Sequence, residues 1–176
     1  MGAAVTSGAS GKGVYTTLKH FAVNEQETNR INNGVSSWVN EQALREIYLK
    51  PFEYTVKNAS QTLFYISDEK GTFSEKEMAG TTAVMSSYNR IGTTWAGGSA
   101  ALMTTVLREE WGFEGLVTSD WYTHGEQYRE IAAGNDIKMG CGMPQHTLRM
   151  LHEGKLSRED VRASVRRLLE MILRLA

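Results

Sequence analysis

Residues 111–122, WGFEGLVTSDWY, contain the side chain best placed for chemistry. They read as a turn, a short apolar strand (Leu116, Val117, Thr118), and then Ser119, Asp120 and Trp121. A carboxylate at the end of a buried strand, beside a large aromatic, is out of place in a pure core. In parallel α/β proteins the C-terminal strand ends hold ligands and catalytic groups. Asp is equally a favoured helix N-cap, so spacing alone leaves Asp120 divided between a cap and a catalytic group. Two other strand ends are polar in the same way: residues 13–21 finish in Lys19-His20-Phe21, and residues 82–88 lead into Ser86, Ser87, Tyr88 and Asn89. The segment 22–34 between them is dense in side chains able to hydrogen-bond hydroxyls, among them Asn24, Glu25, Gln26, Glu27, Asn29 and Arg30. Composition alone favours a solvated loop there.

The elements that must position these groups follow from periodicity. Residues 40–56 carry Leu44, Ile47, Tyr48, Phe52 and Val56 at helical spacing, with Asn40 as N-cap and Pro51 expected to kink or divide the helix. Residues 58–79 are mixed. The brief run Leu63 to Ile66 suggests a helix end or short strand, followed by a surface insertion around 68–77. Residues 99–111 form an amphipathic helix with Leu102, Met103, Val106 and Leu107 on one face. Residues 125–133 predict a short helix and 135–139 a fourth strand, ending in a Gly-rich bend at Cys141. A helix over 144–152 follows, then a last one opened by Ser157 and Asp160 as a capping-box-like pair. That last helix carries an apolar stripe of Val161, Val165, Leu168, Leu169, Ile172 and Leu175. Strand and helix therefore alternate four times, which means parallel strands joined by crossover helices. The expected fold class is α/β: four βα units, half of a TIM-type barrel. A flavodoxin-like open sheet is the topological alternative, but there is no GxGxxG or GxxxxGK[ST] phosphate loop.

The chain has 176 residues, 41% of them hydrophobic and 22% charged, with a formal net charge of −1. This length allows a core that removes roughly 70% of the unfolded surface from water. The mixed charges imply neither nucleic acid nor an anionic membrane as partner, and no run approaches a membrane span. One cysteine excludes an intrachain disulfide. Residues 1–12, Gly/Ser-rich and without an apolar segment, read as a flexible lead-in or cloning remnant rather than a signal peptide. The compartment stays open, with a lean toward the cytoplasm.

Five blocks now stand in order: KHFAVNEQETNR (19–30), REIYLKPFE (45–53), AVMSSYNRIG (83–92), LREEWGFEGLVTSDW (107–121) and AGNDIKMG (133–140). In order and spacing they resemble the barrel domain of glycoside hydrolase family 3, with the nearest likeness to its bacterial β-glucosidases. The likeness runs from about Gly13 to the C-terminus. It implies residues 13–176 as the C-terminal half of that barrel domain, Asp120 as the catalytic nucleophile, and Lys19 and His20 as the pair holding sugar hydroxyls in the terminal subsite. It further implies Tyr88 beside the nucleophile, Trp121 as an aromatic wall, Met139 as an apolar contact and Arg30 as a weaker addition from the loop. Lys19 near Asp120 would favour its ionised form. Neither cofactor nor metal is called for.

The resemblance also marks what is missing. The family's first half-barrel supplies an aspartate and an arginine to the sugar, and the acid/base carboxylate usually comes from a separate domain. A related branch uses a histidine in the loop after KHF, and AVNEQETN carries none. Glu114, Glu126 and Asp136 lie near Asp120 in sequence, but no motif marks one as proton donor. The expectation is a retaining, β-glucosidase-like portion with little turnover alone. The alternatives are a non-catalytic sugar-binding or assembly module and a half-barrel made for experiment. Expected partners are a β-glucoside, and either a second copy paired through open sheet edges or the missing half-barrel and acid/base domain.

Overall fold

The structure is a computed structural model that describes residues 1–30 and 35–175. The end of the polar loop, 31–34, lies outside the described residues. Residues Gly2–Ser10 form helix α1, where composition had suggested a flexible lead-in. Two glycines with Val, Thr and two Ser offset the three Ala in helix propensity, but the small side chains let this helix lie close against its neighbours, and packing supplies the stability that propensity does not. Thr6 and Ser10 are buried in that contact, and the Gly2 Cα position leaves only 3.1 Å between a would-be Cβ and Thr55 Oγ1.

Strand β1, Thr17–Phe21, leads through the polar loop to a two-residue strand β2, Ser36–Ser37. Asn40 caps the following helix as expected, its Oδ1 accepting the Ala43 N–H at 2.8 Å. That helix starts as α2, Glu41–Ala43, widens into a π-type turn over Leu44–Tyr48, and resumes as α3, Lys50–Asn58. The division falls where Pro51 enters the first turn of α3, a position that needs no N–H donor. The mixed segment that follows is a long antiparallel hairpin, β3 (Ser60–Ile66) and β4 (Phe73–Ala79), with Ser60 opposite Ala79 and Ile66 opposite Phe73. Its turn is organised by Asp68, whose carboxylate accepts from the N–H groups of Lys70 and Thr72 and from the Thr72 hydroxyl. Alternation of apolar residues is weak in this hairpin, so sequence had suggested only a short strand.

Strand β5, Ala83–Ser86, is followed by a small hairpin of β6 (Arg90–Ile91) and β7 (Thr94–Trp95), with β2 pairing on β6. A π-type helix, Ala101–Glu110, buries Leu102, Met103, Val106 and Leu107, the face its periodicity predicts. After β8, Leu116–Thr118, come α4 (Gln127–Ala132), α5 (Pro144–His152) and α6 (Arg158–Leu175).

The central sheet has the order β1-β5-β8, all parallel, with Thr17 beside Ala83 and Ala83 beside Leu116. The fourth expected strand is reduced to one parallel bridge, Thr118 to Ile137. The chain is thus an α/β fold with parallel strands and the winding of a TIM-type barrel, left unclosed among the described residues. The core lies on the helix side of the sheet. Phe21, Val84 and Val117 from the strands meet Leu49, Met103, Leu107 and Trp111. The Phe21 ring packs edge-on against Phe52 at 5.2 Å and Trp111 at 5.8 Å, geometries aromatic quadrupoles prefer. The apolar stripe on α6 departs from expectation, because Val165, Leu169 and Ile172 are each about half exposed.

Candidate active site

Because β1, β5 and β8 run parallel, their C-terminal ends share one edge of the sheet, and the polar residues singled out by sequence converge there. The ends are stitched by the Ser87 N–H donating to Phe21 O at 2.9 Å and the Ser87 hydroxyl donating to Ala22 O at 3.0 Å. Asn89, fully buried, donates from Nδ2 to the same Ala22 carbonyl at 3.2 Å.

Asp120 is 5% exposed. It caps no helix: its Oδ1 accepts the N–H of the adjacent Trp121 at 2.8 Å, and the next helix starts only at Gln127. Its Oδ2 is buried, lies 3.3 Å from His20 Nε2 and is approached by the Tyr88 hydroxyl, with a well-aligned hydrogen bond to neither. Burial lowers the His20 pKa below 6.5, Asp120 opposes that shift, and the charges of Lys19 and Arg30 add to it. Tyr88 is buried beside the carboxylate, and its hydroxyl pKa is raised by burial first and by Asp120 second. The Arg30 guanidinium lies over the Tyr88 ring at 4.9 Å while pairing with Glu27 at 2.9 Å. His20, Arg30, Tyr88 and Asp120 therefore form one cluster.

Trp121 is about half exposed and lies against Tyr122 with centroids 5.8 Å apart. It also stands on Gly140, where a Cβ would come within 2.7 Å of the indole. Met139 is half-buried. Its N–H donates to Ser119 Oγ at 3.0 Å and its carbonyl accepts the Tyr122 N–H at 3.1 Å, so it is joined to the Asp120 turn on both sides. Lys19 stands apart. It is exposed and lines an open surface groove with Glu46, Lys50 and Phe52, and among the described residues no ion pair joins it to Asp120. Of the expected pair Lys19 and His20, it is His20 that lies against the Asp120 carboxylate.

The other nearby carboxylates are engaged elsewhere. Asp136 is held by Arg108 and Arg167, Glu126 pairs with Arg129 on the surface, and Glu114 borders a groove with Arg167 and Glu170. A groove of about 870 Å³ is lined by Arg108, Phe113, Arg162 and Arg166. It lies toward the opposite end of β8 and is remote from Asp120. Among the described residues no three His, Cys, Asp or Glu side chains are grouped to hold a metal ion.

Sequence reasoning passed over Ser119, Lys138 and Gly140. Ser119 is fully buried, with its hydroxyl donating to Asp120 O at 2.8 Å. Lys138 could have been found as a cation set between Ile137 and Met139 in the segment expected as the fourth strand. Nothing local marks Gly140, whose role depends on where the Trp121 ring falls.

The fold and the convergent strand ends define a βα-barrel protein with a carboxylate-centred site. The chain belongs to glycoside hydrolase family 3: residues 67–171 match the model of the glycosyl hydrolase family 3 N-terminal domain. It is 40% identical over 159 residues to β-glucosidase A of Butyrivibrio fibrisolvens, covering 90% of this chain and 16% of that protein. It is likewise 40% identical over 174 residues to a β-glucosidase of Rhizobium radiobacter, covering 97% and 19%. The solved structure of β-glucosidase 3B from Thermotoga neapolitana in complex with glucose superposes with a TM-score of 0.81 at 35% identity, over 98% of this chain and 22% of that one. The chain thus spans about a fifth of the length of the relatives it matches.

Proposed function

We propose that this chain is the nucleophile-bearing portion of a retaining, β-glucosidase-like glycosidase, with Asp120 as nucleophile and His20, Arg30, Tyr88, Trp121 and Met139 lining part of the terminal sugar subsite. One observation carries this reading above the rest: a buried carboxylate at the end of a parallel strand has one oxygen pinned by its own neighbour's N–H and the other left without a well-aligned hydrogen bond. A carboxylate oxygen so presented is suited to attack an anomeric carbon. Family membership supports a β-glucoside as the substrate class.

A retaining mechanism needs a second carboxyl group roughly 5–5.5 Å away on the other face of the sugar, first as acid and then as base. Asp136 and Glu130 are both held in buried ion pairs, and Glu126 in a surface one, so none of these three is disposed to serve. Formation of the glycosyl-enzyme with an activated leaving group needs no acid, whereas turnover of ordinary glucosides does. The test is incubation with a 2-deoxy-2-fluoro-β-glucoside carrying a dinitrophenolate leaving group, followed by intact-mass analysis and peptide mapping. The expected result is one 2-fluoroglucosyl ester on Asp120, absent from Asp120→Asn, with little hydrolysis of aryl β-glucosides. No adduct at Asp120 would sink the reading. The alternative, a non-catalytic sugar-binding module, would be supported by glucose binding without an adduct.

A further inference from the structure

Lys138 is an anomaly in this fold. Its side chain is wholly buried in the segment that bridges to β8, where an apolar residue is the rule. Its ammonium is fully partnered, donating to Glu130 Oε1 at 2.8 Å, to Thr123 Oγ1 at 2.7 Å and to the Gly125 carbonyl at 2.7 Å. Buried ion pairs are poor stabilisers compared with apolar residues of the same volume, and the best-attested reason for retaining one is to fix a particular arrangement. Two of the three partners here, Thr123 and Gly125, belong to the loop that leaves Asp120.

That loop is attached to the neighbouring segment at both ends. Near Asp120, the Ser119 N–H donates to Ile137 O at 2.8 Å and Ser119 Oγ accepts from Met139 N–H at 3.0 Å. Past Trp121, the anchors are the Tyr122 N–H on Met139 O and the Lys138 ammonium on Thr123 and Gly125. Tyr122, between them, has φ +52, a left-handed conformation that persists only when its surroundings impose it. Trp121 hangs from the span between these two sets of anchors. We infer that Lys138, oriented by Glu130, is a positioning residue that holds Trp121 and the Asp120 turn in register through Thr123, an inference that rests on the reading of Asp120 as nucleophile. The lysine itself touches no substrate. It fixes the aromatic wall relative to the carboxylate.

Replacing Lys138 leaves Glu130 buried and unpaired, so folding alone could be lost. The decisive variant is Thr123→Val, which keeps the ion pair, the side-chain volume and the contact with the Gly125 carbonyl but removes the lysine's hold at Thr123, the anchor nearer Trp121; Thr123→Ser restores the hydroxyl. Two readouts are taken on the intact chain. The first is the ¹⁹F spectrum of protein labelled with 5-fluorotryptophan, with the Trp121 resonance assigned by Trp121→Phe. The second is the rate at which the fluoroglucoside above forms its ester on Asp120. The expected result for Thr123→Val is a shifted or broadened Trp121 resonance, an unchanged Trp111 resonance, and labelling slower by about 10- to 100-fold, the scale expected of small misplacements. Thr123→Ser is expected to restore both. An unmoved Trp121 resonance, or labelling at the wild-type rate, overturns the inference. A wild-type chain that forms no ester overturns the nucleophile reading instead, and the Trp121 resonance still decides whether Lys138 positions the loop.

Discussion

His20 shows how a residue a hundred positions away in sequence bears on a side chain's state. The imidazole is partly buried and sits beside a carboxylate, and burial dominates, so the folded protein favours neutral His20. The sign of the pH dependence follows. The folded pKa lies below the unfolded value of about 6.5, so stability is fully present above pH 6.5 and is lost as pH falls through the folded value. His20→Gln is therefore expected to flatten the stability profile below about pH 6.5, as read by urea denaturation over a pH series. A profile that keeps the wild-type slope would assign the effect to another group. A neutral imidazole also leaves Asp120 without a formal cation from His20 at contact distance, which suits the nucleophile role proposed for it.

At the scale of elements, Asp136 joins three of them. Its carboxylate accepts the Val117 N–H of β8 at 2.9 Å, pairs with Arg108 of the π-type helix at 3.0 Å, and pairs with Arg167 of α6. Burial pushes the Asp136 carboxyl above its ordinary value and lowers Arg108 to about 10. Both directions say that desolvation outweighs pairing, so the cluster adds little net stability over an apolar one, yet removing one member strands the others. Asp136→Ala is expected to destabilise the fold by about 3–5 kcal/mol, measured by urea titration. A loss under about 1 kcal/mol would mean that water replaces the carboxylate. The same cluster explains why this residue, near Asp120 in sequence, takes no part in the candidate site.

For the molecule as a whole, the unclosed sheet has consequences. Among the described residues β1 pairs only on its β5 side, and the far side of the sheet ends in the single Ile137 bridge. Unpaired strand edges template association with other chains, and α6 adds an exposed row of Val165, Leu169, Ile172 and Leu173. Self-association is the expected outcome, to be read as a concentration-dependent shift beyond the monomer in sedimentation velocity. A single monomeric boundary at all concentrations, with cooperative melting, would contradict it.

The alternation of strands and helices, the buried face of residues 101–110, the Asn40 cap and the candidate residues at strand ends could all be read in the sequence, because each depends on neighbours within a few positions. Helix α1 and the β3–β4 hairpin could not, since weak local signals there are overruled by packing against α3 and across the hairpin. The nearness of His20, rather than Lys19, to Asp120 depends on how the irregular end of β1, where three residues run beside two of β5, turns its side chains. Asp120 itself divides along the same line. Sequence left it between helix cap and catalytic group, and the tertiary structure removed the cap by placing the next helix too far away and burying the carboxylate among β1, β5 and β8. Where a side chain's role depends on groups a hundred residues distant, only the folded chain brings them within reach.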